Sequence, residues 1–159
     1  MSPAEGCILP DWEGDRMAEN ETLNFHFDVD GNDFTSAGEA SVKVKKLMRQ
    51  LGFSPELTRR VSIAMYEGEI NMVIHANGGT ADVYVDEDCL RVVLSDEGPG
   101  IADVETAMQE GYSTAPDNIR ALGFGAGMGL PNMKNYSDEM NIDSVVGKGT
   151  TIELKFKVS

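Results

Sequence analysis

The chain has 159 residues and a formal net charge of −14, from 13 basic and 27 acidic side chains. Apolar residues make up 41% and charged residues 25%, enough for one packed core and too apolar for global disorder. The acidic balance weighs against direct nucleic-acid binding and docking on an anionic membrane, both of which need clustered Lys and Arg. Residues 1–35 carry nine Asp or Glu and one Arg, and the other 124 carry eighteen acidic and twelve basic residues. The body is therefore only mildly acidic. No apolar run nears the ~18 residues of a membrane helix, and no basic segment precedes an apolar one, so a cytoplasmic chain is expected. Cys7 and Cys89 are far apart and match no metal-ligand spacing, which points to neither a zinc site nor a disulfide.

Residues 1–20 mix Pro, Gly and acids without periodicity and read as a loose acidic tail, leaving 21–159 as the domain. Leu23, Phe25, Phe27 and Val29 alternate with polar residues, the period of a half-buried strand. Ala40, Val44, Leu47, Met48 and Leu51 have helical spacing, with Lys43, Lys45, Lys46 and Arg49 as a basic solvated face. Ser54 before Pro55 predicts the start of a second helix, with Ser as N-cap and Pro at the first helical position. Leu57, Val61, Ala64, Met65, Ile70, Val73 and Ile74 carry it to about Ala76. Ala81, Val83 and Val85, then Leu90 to Leu94, predict two strands joined by a turn at Asp86, Glu87 and Asp88.

Residues 103–110 suggest a short helix, and 111–130 form a long Gly-, Ser- and Thr-rich segment that reads as a functional loop. A helix is expected from near Leu130 to about Asp138. Asn141 to Val146 and Thr150 to Val158, joined by Gly147-Lys148-Gly149, read as a C-terminal hairpin. The order of elements predicts an α+β fold, a two-layer α/β sandwich with helices on one sheet face.

Three clusters carry the chemistry. Gly123, Gly125, Gly127 and Gly129 alternate just before a helix, where bare backbone N–H groups and the helix dipole favour phosphate. Neither a P-loop nor a dinucleotide fingerprint fits. The former would need Gly at 142 and Ser or Thr at 149 and finds Ile142 and Gly149, while in the latter Gly125 and Gly127 lead to Leu130. Asp96-Glu97-Gly98-Pro99-Gly100-Ile101 follows an apolar strand, so a carboxylate can meet an exocyclic amine while glycines admit a flat ring. Glu67 and Asn71 are i and i+4 on the long helix and share a face that His75 extends, suiting a general base beside a metal ligand.

In this order the three clusters resemble the GHKL ATPase superfamily, most closely the bacterial anti-sigma-factor and switch protein-serine kinases. The similarity spans roughly residues 35–158 and includes Gly111-Tyr112-Ser113-Thr114 and the ending from Ser137-Asp138-Glu139 to Gly147-Lys148-Gly149-Thr150. The resemblance implies the Bergerat sandwich, with a mixed, largely antiparallel sheet and a flexible ATP lid at residues 111–129. It implies that Asp96 binds the adenine amino group, with Gly98, Gly100 and Ile101 beside the ring and Thr150 supporting the pocket. Asn71 would coordinate Mg²⁺ on the ATP phosphates. Gly125, Ala126, Gly127, Met128, Gly129 and Leu130 would cradle those phosphates with main-chain amides, and Glu67 would take the proton from an attacking hydroxyl.

Glu at position 67 resembles the serine kinases and water-activating ATPases, whereas sensor histidine kinases usually carry Asn four residues before the metal-binding Asn. The activity implied is ATP- and Mg²⁺-dependent protein-serine/threonine kinase of the partner-switching type. Its substrate would be a small STAS-type antagonist, and its other partner a sigma factor or a PP2C-type phosphatase, with homodimerisation common among such kinases. Two positions depart from the pattern. Gly125 stands where these kinases often have a basic residue aimed at the γ-phosphate, with Arg120 as a substitute in the lid, and Ile70 stands where a polar or basic residue is common. The alternative is a binding module gated by ATP or ADP without significant transfer; a third reading is an ATPase whose Glu67 activates water.

Overall fold

A computed structural model describes residues 23–31, 37–76, 78–101, 108 and 129–158. Eight elements follow in chain order: β1 (Leu23–Asp30), α1 (Glu39–Gln50), α2 (Pro55–Ala76), β2 (Gly78–Val85), β3 (Cys89–Asp96), α3 (Gly129–Tyr136), β4 (Glu139–Val145) and β5 (Gly149–Lys157). The five strands form one sheet in the order β1-β2-β3-β5-β4. Every pairing among them is antiparallel. The α+β expectation holds, with helices on one face of the sheet.

Each element follows from local chemistry. Phe25, Phe27 and Val29 turn their side chains to the core while the alternate residues of β1 are exposed, as the period of two requires. At the start of α2 the Ser54 hydroxyl accepts the Leu57 N–H at 3.2 Å, closing the N-cap ahead of Pro55. The Asp86 carboxylate accepts the N–H groups of Asp88 and Cys89 at 2.9 and 2.7 Å and so builds the turn between β2 and β3. The central strand β3 is buried at its first six positions, so Leu90, Val92, Val93 and Leu94 show no alternation, and the buried Arg91 among them pairs with Glu153 of β5.

The core lies between the sheet and the helices. Val83, Leu90, Val92, Leu94, Leu154 and Phe156 from the sheet meet Val44 and Met48 of α1, Val61 and Met65 of α2, and Met133 of α3. No described helix is long and apolar enough to cross a membrane.

Some sequence expectations shift. The helix α2 ends at Ala76 as expected, and β2 begins at Gly78, ahead of Ala81, because Gly78 and Gly79 pair with Asp30 and Val29 of β1. The strand β4 begins two residues earlier than Asn141, because Glu139 and Met140 pair with Lys155 and Leu154. Cys89, which opens β3, is wholly buried. The tail at 1–20 and the short helix expected over 103–110, apart from a turn at Met108, lie outside the described residues.

Candidate functional site

The long helix α2 carries the first part of the site. Glu67, Asn71 and His75 are half-buried along one of its faces, while Gly68, Met72 and Val73 beside them are buried against the core. Burial pulls the His75 imidazole below its ordinary range, partly opposed by the negative charge of Asp96. That opposition links the C-terminal end of α2 to the end of β3.

At the end of β3, Asp96 is held by the backbone around it. Its Oδ1 accepts N–H bonds from Gly98 at 2.9 Å and from Thr150 at 3.2 Å. With Oδ1 oriented by two amides, Oδ2 is the oxygen suited to an incoming donor such as an exocyclic amine. The Thr150 hydroxyl lies 2.8 Å from Ser144 Oγ, which also accepts the Ile101 N–H at 2.6 Å. Ser144 therefore ties the Asp96–Ile101 turn to the β4–β5 hairpin. The sequence signal passed it over because a lone serine in a strand carries no motif.

Two glycines make this corner possible. Gly149 has φ +138°, and a Cβ there would strike the Asp96 carbonyl oxygen. Gly100 has φ +79°, and its Cβ would lie 2.5 Å from the Val145 carbonyl oxygen. The β4–β5 turn is then closed onto the Gly-Pro-Gly turn by the Gly147 N–H donating to the Pro99 carbonyl at 2.9 Å.

The third part comes from α3, which runs antiparallel to α2. A Cβ on Gly129 would meet Asn71 Oδ1 at 3.1 Å. Three residues on, Asn132 Nδ2 donates to Glu67 Oε1 at 3.3 Å. At the far end the Tyr136 carbonyl accepts from Arg60 Nε at 3.0 Å. The Leu130 side chain goes into the core at 7% exposure, leaving its main chain as the part that could meet a ligand. Gly125, Ala126, Gly127 and Met128, with Arg120 and the rest of the lid, lie outside the described residues. The structure thus brings Glu67, Asn71 and Gly129 together, and separately Asp96, Gly98, Ile101 and Thr150, with His75 between the groups.

Two further residues escaped the sequence reading. Asn132 had no signal beyond being polar in the first turn of a helix. Glu69, 2% exposed, did leave one: at i+4 from Met65 and i−4 from Val73 it interrupts the buried stripe of α2. Its carboxylate accepts backbone N–H bonds from Gly38 at 2.9 Å, Ala40 at 3.3 Å and Ser41 at 2.6 Å. It therefore caps α1, whose own N-cap Gly38 offers no side chain.

The donor set fits a nucleotide with a divalent cation. Among the described residues no three His, Cys, Asp or Glu gather into a metal cage. A hard cation held by phosphate oxygens needs only one or two protein oxygens, and the Asn71 amide is of that type.

Comparison with known proteins agrees with this layout. The family model for the histidine kinase-like ATPase domain matches residues 32–156. The serine/threonine-protein kinase RsbT of Bacillus subtilis is 31% identical over 113 residues, covering 69% of this chain and 79% of that protein. The anti-sigma F factor of Geobacillus stearothermophilus is 32% identical over 122 residues, covering 73% and 80%. Among solved structures, the RsbU and RsbW domains of a Mycobacterium tuberculosis protein match with a TM-score of 0.59 at 15% identity. That match covers 86% of this chain and 32% of the other, so the chain spans about a third of that protein and the likeness concerns the fold. With helices on one sheet face, motif residues on α2 and at the end of the central strand, and a family match over most of its length, the chain belongs to the histidine kinase-like ATPase domain family.

Proposed function

We propose that the protein is an ATP- and Mg²⁺-dependent protein-serine/threonine kinase of the partner-switching type. The observation that carries this reading is the pairing of Glu67 and Asn71 on one half-buried face of α2, against the first turn of α3. A carboxylate there can act as base, and an amide oxygen one turn away can serve a cation on the phosphates. The relatives named as a serine/threonine-protein kinase and as anti-sigma F factors support the same class.

In this reading Asp96 accepts the adenine amino group, Gly98, Gly100 and Ile101 flank the ring, and Thr150 fixes the Asp96 carboxylate through its N–H. Main-chain amides from Gly125 to Leu130 hold the phosphates. Glu67 takes the proton of a substrate serine or threonine hydroxyl as its oxygen bonds to the γ-phosphorus, and the bond from that phosphorus to the β–γ bridging oxygen breaks to release ADP. Asn71 would hold Mg²⁺, which when bound offsets phosphate charge. The substrate is a small STAS-type antagonist domain, and the other partner is a sigma factor or a PP2C-type phosphatase, in a cytoplasmic setting.

A second reading, a binding module switched by ATP or ADP, is favoured by Gly125 where related kinases often carry a base. It predicts partner affinity that differs between the two nucleotides while the partner stays unmodified.

Calorimetric titration with ATP, with and without Mg²⁺, tests the site. Binding should depend on Mg²⁺ and lose that dependence in Asn71→Ala. Glu67→Gln should bind ATP as the native protein does and fail to transfer phosphate. Absence of ATP binding by the native protein would overturn the proposal.

A further inference from the structure

We infer that Asn132 is a positioning residue for Glu67: it fixes one carboxylate oxygen and leaves the other turned to the incoming hydroxyl. The inference rests on the reading of Glu67 as the base. A carboxylate only accepts hydrogen bonds, so the amide face that meets Glu67 Oε1 at 3.3 Å must be the nitrogen. Asn132 lies between Pro131 and Met133, both buried, so its backbone is anchored in the core while its side chain reaches out to α2.

The anchoring is redundant, which gives this one bond its leverage. The antiparallel register of α3 on α2 is set at Gly129 against Asn71, at Met133 beside Gly68, and by the Arg60 bond to the Tyr136 carbonyl. Arg60 also pairs with Asp138 at 3.2 Å. None of these contacts needs Asn132. Its amide is the part of α3 that reaches the carboxylate itself. A glutamate on a helix face has three side-chain torsions to settle, and an immobile donor removes much of that freedom. An amide gains and loses no proton at physiological pH, so it orients the base without competing for the proton the base must take.

The placement has a further consequence. Gly129 opens α3 and is the last of the alternating glycines read as the phosphate cradle. The same helical turn therefore meets Asn71 with its first residue and Glu67 with its fourth.

Two measurements test this on the intact protein. In the absence of nucleotide, thermal unfolding of Asn132→Ala, Glu67→Ala and the double variant should give losses in Tm that fail to add, as for residues in direct contact. With Mg²⁺ and ATP, and water as acceptor, phosphate release should fall about 10- to 100-fold in Asn132→Ala while calorimetric ATP affinity is unchanged. In a Glu67→Gln background the same substitution should cost nothing more. Asn132→Asp, which sets a second carboxylate against Glu67, should be slower still at neutral pH. Native turnover in Asn132→Ala beside an inactive Glu67→Gln, or additive losses in Tm, would overturn the assignment of Asn132 alone. Full turnover in Glu67→Gln, or no ATP binding by the native protein, would overturn the reading of Glu67 and this inference with it.

Discussion

Replacing Glu69 by Ala should be among the most destabilising single changes outside the apolar core, although the residue touches no ligand in the proposed mechanism. The carboxylate is 2% exposed and takes three N–H groups at the start of α1, which water cannot fully replace once it is gone. A hydrogen bond to a charged group contributes about 1.5–3 kcal/mol, and the Ala40 contact at 3.3 Å is the weakest of the three. Removing the charge also recovers its desolvation cost, so the net loss should be about 3 kcal/mol rather than the sum of the bonds. At this chain length that corresponds to a fall in Tm of about 10 °C.

Glu69→Gln keeps one acceptor but turns an NH₂ toward an N–H, and should lose roughly 1–3 kcal/mol. Amide exchange should locate the damage, with the N–H groups of Gly38, Ala40 and Ser41 losing protection before those of α2. The pH dependence carries a definite sign. Burial raises the Glu69 carboxyl above its reference value of 4.5, against the lowering effect of the Ser41 and Gly38 N–H groups. The linked stability is thus complete below about 4.5 and declines as pH rises through the folded value. The advantage of the native protein over Glu69→Gln should shrink from acid to neutral pH. A denaturation series in which Glu69→Ala costs less than about 1 kcal/mol would refute the capping argument.

Two other predictions concern the site. Gly149→Ala drives a Cβ into the Asp96 carbonyl at φ +138°, so it should cost about 1–3 kcal/mol of stability and weaken ATP binding, while Gly147→Ala in the same turn meets no atom within 4 Å; equal ATP affinity in both variants would contradict the Asp96–Gly149 corner. His75 sits below its reference value of 6.5 because of burial, so the stability linked to it is present above about 6.5 and is lost as pH falls through the folded value. Native protein should therefore lose stability relative to His75→Gln on acidification from pH 7.5, as read from unfolding midpoints, and parallel pH profiles would remove burial as the cause.

Much of this architecture is written in local pattern. The alternation at Phe25, Phe27 and Val29, the Ser54-Pro55 start of α2 and the apolar-rich stretch from Leu90 to Leu94 each reflect a neighbour relation within a few residues, where sequence and geometry are tightly coupled. The order of the Glu67/Asn71, Asp96 and glycine clusters is likewise visible in the chain alone and leads to the ATPase family. Strand pairing is different. That β5 enters between β3 and β4, setting Thr150 beside Asp96, depends on apolar faces meeting across more than fifty residues, and period-two patterning names a buried face without naming its neighbour. Glu69 on the first turn of α1 and Asn132 on Glu67 share that character. The sequence shows each as a polar residue, and only the packing of α1 and α3 on α2 selects its partner, because a side chain's hydrogen bond is decided by which groups the core brings within bonding distance of it.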